Sequence, residues 1–193
     1  MQKVILVGGS PRVGKSTVGA LLSAKLGFPC LSTDDIGEVL QTVCDINPMR
    51  GYEYPEYYAR REKQQLIDDI AAYHRKLEPA IARLVEIHSS WGDPLILEGW
   101  ALYPELVRRL ENDQVFSVWL IAQEGLLAQR VRTSTSFYAL AKEPEKVIEN
   151  YLHRSLWHNQ KLLAQCKAQN RNYILVGENT AAEETAEKIL AML

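Results

Sequence analysis

The sequence predicts an α/β fold: a mainly parallel sheet of five strands with helical crossovers, arranged in three layers. Three observations predict it. Short apolar runs rich in branched residues recur along the chain, and most are followed by a segment with helical spacing of its apolar residues. A long, charged, helical stretch interrupts this alternation after the second run. The length of 193 residues suits one domain, so residues 1–193 are read as a single unit with a helical insertion.

Each element has its own warrant. Residues 3–7 form the first strand, because Val4-Ile5-Leu6-Val7 is continuously apolar, as in a strand buried on both faces. Residues 16–26 form a helix, with Val18, Leu21, Leu22 and Leu26 on one stripe and Gly27 to end it. Residues 28–32 are the second strand, and Thr33 or Asp34 is expected to cap the helix that follows. From about residue 55 to 89 the pattern is helical, and Pro79 is expected to start a new helix or kink the old one. The turn Trp91-Gly92-Asp93-Pro94 leads into a third strand at 95–97. A helix at 104–110, a strand at 115–121 and a helix at 124–132 come next. Thr133-Ser134-Thr135-Ser136 breaks the pattern and is expected to be a mobile loop. A helix at 144–166, a last strand at 173–176 and an amphipathic helix at 181–193 complete the chain.

Composition narrows the function classes. A formal net charge of −2 argues against a nucleic acid polymer as partner. Cys30, Cys44 and Cys166 are odd in number and far apart, which suits a reducing compartment rather than a disulfide framework or zinc site. The first apolar run is too short for a signal peptide, and no later run approaches a membrane span. A cytoplasmic protein with no membrane partner is the expectation.

The most specific motif is Gly9-Ser10-Pro11-Arg12-Val13-Gly14-Lys15-Ser16, followed by Thr17. It has the spacing of a phosphate-binding loop and lies between a strand and a helix, as that loop must. Gly9 and Gly14 allow backbone angles and close approach that a side chain would block. The intervening amides cradle phosphate oxygens at the positive end of the helix. Lys15 reaches the β- and γ-phosphates, and the Ser16 hydroxyl is a Mg²⁺ ligand.

Two acidic segments follow strands. Asp34 and Asp35 stand just beyond the second strand, where a carboxylate can accept the proton of an attacking hydroxyl; helix capping is the competing role. Glu98 closes the third strand and precedes Gly99, a position suited to holding Mg²⁺; an acid in a solvated turn is the alternative. Trp100 either walls an acceptor pocket or packs in the interior. Arg130 and Arg132 precede the polar break and Arg154 follows it, where arginines of a closing segment can neutralise a transferring phosphoryl group.

With these residues in view, the whole chain resembles the small P-loop kinases of the nucleoside-monophosphate-kinase type, including shikimate, gluconate and 2-phosphoglycerate kinases. It looks most like the 2-phosphoglycerate kinase-like group, through Gly9 to Thr17, through Ser32-Thr33-Asp34-Asp35-Ile36 with Glu38, and through Ile96-Leu97-Glu98-Gly99 with Leu102 and Pro104. The resemblance implies a P-loop NTPase fold with sheet order 2-3-1-4-5. It implies an acceptor-binding helical region at about 36–90 and a lid at about 130–155. ATP with Mg²⁺ is the implied donor. The acceptor is expected to be a small metabolite held by Asp34, Arg50, Arg61 and Trp100, and the protein a monomer or homodimer. One position departs from the pattern. Several relatives carry a phosphate-gripping arginine on the helix after strand two, and its place here is taken by Gly37. A phosphorylated acceptor then needs a cation from Arg50, Arg60 or Arg61.

Two other readings stay open: a nucleoside or nucleotide kinase, and an ATP-binding switch or adaptor. GTPase function is disfavoured by the lack of an Asn-Lys-x-Asp segment.

Overall fold

The computed structural model describes residues 2–134 and 138–193. Of the polar break expected to be mobile, Thr135 and Ser136 lie outside the described residues. The strands are β1 (Val4–Gly9), β2 (Cys30–Ser32), β3 (Leu95–Gly99), β4 (Val115–Ala122) and β5 (Tyr173–Val176). They form one parallel sheet in the order β2-β3-β1-β4-β5, the expected class and order. The helices are α1 (Lys15–Leu26), α2 (Thr33–Gln41), α3 (Tyr54–Arg60), α4 (Lys63–Ser90), α5 (Pro104–Val107), α6 (Leu126–Thr133), α7 (Pro144–Ala168) and α8 (Ala182–Leu190).

The two-residue period of a strand divides its side chains between two cores. Val4, Leu6, Leu95, Leu97, Trp119 and Ile121 pack against α4, α5 and α7 through Ile70, Leu77, Ile81, Leu106 and Leu162. Ile5, Val7, Ile96, Val118 and Leu120 pack against α1, α6 and α8 through Val18, Leu22, Leu126, Leu127 and Ile189. Each such aliphatic side chain, fully buried, stabilises the fold by about 1.5–3 kcal/mol. A third cluster joins Tyr57 and Tyr58 of α3 and Leu66 of α4 to Val147, Ile148 and Tyr151 of α7. That cluster docks the insertion on α7, far along the chain.

Several boundaries differ from the sequence expectation, each for a local reason. β1 continues through Gly8 and Gly9, which pair with Gly99 and Leu120, because backbone pairing does not require an apolar side chain. Ser32, rather than Thr33 or Asp34, is the N-cap of α2, and its hydroxyl accepts from the Asp34 N–H at 3.2 Å. Pro79 starts no new helix; α4 runs unbroken from Lys63 to Ser90. Residue 79 is exposed, so water can reach the carbonyl that proline leaves without a donor. The helix expected at 104–110 shortens to one turn, and α6 begins after Gly125, whose φ is 84°. No helix among the described residues is long and apolar enough to cross a membrane.

Gly37 has a structural reason for lacking a side chain. A Cβ at that position would lie 1.8 Å from the Tyr73 hydroxyl of α4. Tyr73 therefore occupies the space where an arginine from α2 would project. Gly37→Ala is expected to destabilise the fold by about 1–3 kcal/mol, as over-packing does. A urea midpoint equal to that of the wild type would contradict this packing.

Candidate active site

The parallel sheet delivers β1 and β3 side by side, and their C-terminal ends carry the phosphate loop and Glu98. Gly9 can bear no side chain, since a Cβ there would lie 2.7 Å from the Leu120 carbonyl oxygen. Gly14 closes the loop at φ 106° and caps α1 without a side-chain hydrogen bond. α1 has no acid in its first turn, so its positive end is uncompensated by its own sequence. The loop side chains divide by task. Val13 is buried in the second core and Ser10 is fully buried, whereas Pro11, Arg12, Lys15 and Ser16 line the cavity above. Thr17 is exposed and does not line it.

Lys15 Nζ donates to the Ser10 carbonyl oxygen at 3.0 Å. Burial lowers its pKa from the usual value, while Glu98 and then Asp34 act in the opposite direction. Glu98 is 4% exposed and accepts from Ser16 Oγ at 2.9 Å. These two hard oxygen donors, side by side at the mouth of the loop, fit Mg²⁺, which takes few protein ligands and keeps several waters. No larger cluster of His, Cys, Asp or Glu able to hold a metal occurs among the described residues.

The cavity above the loop has a volume of about 350 Å³. Asp34 enters it from α2, with Oδ1 held by the Trp100 indole N–H at 2.7 Å. Arg154 of α7, only 5% exposed, also lines it. Its guanidinium lies 4.6 Å from the Trp100 ring centroid, 4.9 Å from that of Tyr151 and 5.0 Å from that of Tyr58. It donates to the Tyr58 hydroxyl, and the charged groups that most affect it are phenols rather than carboxylates. Its Nε has no partner. A guanidinium stays charged in a protein, so this cation stands in an aromatic enclosure with no carboxylate paired to it among the described residues. Tyr54, Tyr57 and Tyr73 complete the walls.

The remaining expected residues fall in other places. Both aspartates are exposed, but Asp34 lines the cavity and Asp35 does not. Arg50 is outside the cavity, paired with Asp45 at 2.8 Å in its own loop. Arg61 is also outside, held by Asp69 at 3.5 Å and by the rings of Tyr52 and Tyr57. Arg60 pairs with Glu56. None of the three brings a cation to the cavity; Arg154 does. Arg130 lies against the loop and donates to the Arg12 carbonyl oxygen at 3.0 Å, while Arg132 turns toward Glu145 at 3.4 Å.

Two histidines carry no sequence signal for this region. His158 is fully buried between Ser10 and the Trp100 backbone, and His74 packs edge-on behind the Trp100 ring at 4.5 Å. Each lies within an ordinary helical pattern. The useful clue is the spacing of Arg154 and His158, four residues apart on one helix face.

Residues 5–146 match the family described as AAA domain. A 2-phosphoglycerate kinase of Methanococcus maripaludis is 29% identical over 209 aligned positions, covering 98% of this chain and 64% of its own length. A shikimate kinase of Ruegeria pomeroyi is 30% identical over 134 positions, covering 68% of this chain and 58% of its own. The chain thus spans somewhat less than two thirds of the length of the curated relatives it matches. Among solved structures, shikimate kinase from Bacteroides thetaiotaomicron superposes with a TM-score of 0.60 over 98% of this chain and 97% of its own. At 13% identity that likeness is one of fold.

The histidines also give the fold a pH dependence. Burial is the main cause that lowers His158 from the usual 6.5 to about 3, and it lowers His74 well below 6.5. Both are neutral in the fold, but the unfolded chain protonates them below about pH 6.5. The unfolded chain then holds more protons, so stability falls as pH drops from about 6.5 toward 3. The thermal midpoint is expected to decline over this window, and less steeply in His158→Gln. Parallel curves for the two proteins would exclude His158 as a source of the decline.

Proposed function

This chain belongs to the AAA-domain family of P-loop proteins, and on that premise we propose that it is an ATP- and Mg²⁺-dependent phosphotransferase acting on a small anionic hydroxy compound. One observation carries the reading. A single cavity is lined both by the phosphate loop and by a buried arginine that has no carboxylate partner among the described residues. The loop amides and Lys15 bind the donor phosphates, and Ser16 with Glu98 would hold Mg²⁺. When bound, that ion supplies charge neutralisation between the donor phosphates. Asp34, with one oxygen fixed by Trp100, orients the acceptor hydroxyl and takes its proton as the new P–O bond forms and the bond to ADP breaks. Arg130, which donates to the Arg12 carbonyl of the loop, would neutralise charge on the transferring group.

Arg154 defines the acceptor class. A fork of N–H donors in an enclosed site suits a carboxylate or phosphate group. A phosphorylated hydroxy acid of the kind named for the archaeal relatives carries both groups. Arg154 thus answers the need created by Gly37, from a helix more than a hundred residues away. The insertion at about 36–90 supplies Tyr54, Tyr57, Tyr58 and Tyr73 as acceptor walls, and the lid lies in the segment at about 130–155, whose α7 part is docked on the insertion through Val147 and Ile148. A cytoplasmic setting accords with ATP as donor and with three free cysteines. The second reading, a nucleoside or nucleotide kinase, draws on the same tyrosines, since a base can stack on their rings.

Radiolabelled ATP with a panel of 2-phosphoglycerate, shikimate, gluconate, nucleosides and nucleoside monophosphates tests both readings. Transfer to an anionic hydroxy acid is expected; transfer confined to nucleosides or their phosphates would favour the second. Lys15→Ala is expected to lower transfer at least about 100-fold while circular dichroism shows the fold retained. Near wild-type turnover would remove Lys15 from the mechanism. Arg154→Lys is expected to weaken acceptor binding by about 2 kcal/mol or more, roughly 30-fold, with Mg·ADP affinity unchanged. An unchanged acceptor KM would place the anion elsewhere.

A further inference from the structure

One face of α7 meets both halves of the cavity. Tyr151 and Arg154 stand at the acceptor wall, and Ser155 and His158, one turn on, reach the phosphate loop. His158 is fully buried and makes two contacts, one of which has a fixed chemical direction. Its Nε2 lies 2.9 Å from the Trp100 carbonyl oxygen, which can only accept, so Nε2 carries the proton. In the neutral ring its Nδ1 is then bare and accepts from the Ser10 hydroxyl at 3.1 Å. The carbonyl of Ser155, on the same helix, is the alternative acceptor for that hydroxyl at 3.2 Å. Trp100 in turn donates its indole N–H to Asp34 Oδ1 at 2.7 Å. Ser10, finally, is the residue whose carbonyl oxygen holds Lys15 at 3.0 Å.

We propose that His158, as a neutral imidazole, is the positioning residue that links the phosphate loop to the acceptor side of the site, through Ser10 on one nitrogen and Trp100 with Asp34 on the other. The link explains why a buried imidazole stands among core side chains at the base of the site. It also explains why the residue following Gly9 is a serine with its hydroxyl turned away from the cavity. The Ser10 peptide, which meets Lys15, cannot shift without pulling on α7. Trp100, which supports both Asp34 and Arg154, cannot shift without pulling on the same ring. The proposal rests on the phosphotransferase reading above.

Two substitutions separate the two nitrogens. In His158→Asn an amide group replaces Nδ1 beside Ser10 but stops short of Trp100. In His158→Gln an amide reaches the Nε2 position near the Trp100 carbonyl and leaves the Ser10 hydroxyl only the Ser155 carbonyl, so its link to the ring is lost. Calorimetric titration with Mg·ADP reads the donor side and needs no knowledge of the acceptor. Loss of one neutral hydrogen bond predicts about fivefold weaker Mg·ADP binding in His158→Gln and in Ser10→Ala. His158→Asn should remain within about twofold of wild type, and the Ser10→Ala/His158→Gln double variant should be no weaker than either single one. Equal effects of Asn and Gln, unchanged affinity in Ser10→Ala, or multiplied losses in the double variant would overturn the link. Ser10→Ala alone decides the donor side if a His158 variant does not fold.

Titration with 2-phosphoglycerate, with and without Mg·ADP, reads the acceptor side. Mg·ADP should tighten its binding to wild type, and His158→Asn should lose most of that gain. A retained gain would overturn the Trp100 half of the link. No 2-phosphoglycerate binding to wild type would reject that acceptor while the donor titrations still decide the role of His158. No Mg·ADP binding to wild type would reject the phosphotransferase reading itself.

Discussion

The site depends on one constraint at the end of β1, where a strand buried on both faces must pass its chain directly into a helix. β1 lies between β3 and β4, so nothing bulky fits where it ends. A Cβ on Gly8 would meet the Trp119 ring at 2.4 Å, and one on Gly9 would meet the Leu120 carbonyl oxygen at 2.7 Å. The chain therefore turns through backbone alone, with its amides and the positive end of α1 facing outward. The same central position puts Glu98, at the end of neighbouring β3, within hydrogen-bond distance of Ser16. A loop that binds phosphate and a carboxylate suited to Mg²⁺ thus follow from the order of three strands.

Electrostatics then define what the cavity lacks. Arg12, Lys15 and Arg154 line it with two carboxylates, Asp34 and Glu38. Lys15 is buried and donates to a backbone carbonyl, and Arg154 is buried among aromatic rings. Holding cations out of water is costly without an anion, so both positions favour anionic ligands. Lys15, Asp34 and Arg154 line one cavity, which is compatible with the phosphoryl transfer proposed above, where most of the catalysis is positioning and charge stabilisation.

α7 has an unusual share in this arrangement. It packs the sheet through Leu162, docks the insertion through Val147 and Ile148, and carries Arg154 and His158 on the face between. Asn159 adds a paired contact to the backbone of Ala122 at the end of β4, with both hydrogen bonds at 2.9 Å. Arg154 is therefore placed by a helix pinned to the sheet rather than by a loop.

The sequence alone determined the sheet, its helices, the phosphate loop and Glu98, because each is encoded locally. Periodicity marks a strand or a helix, and a loop built from backbone needs glycines at fixed spacing. Asp34 was legible to within one residue; which of two adjacent aspartates reaches the cavity depends on how α2 is rotated against the sheet, which the local sequence does not record. Only the tertiary structure decided the cation. Arg50 and Arg61 are near the insertion in sequence, but Asp45 and Asp69 hold them outside the cavity. Arg154 reaches it because the tyrosines of α3 pack on α7, a contact between segments about ninety residues apart. His158 was hidden for the same reason. A buried histidine on an apolar helix face looks like core until Ser10 and Trp100 are brought to its two nitrogens, and no local pattern records that meeting.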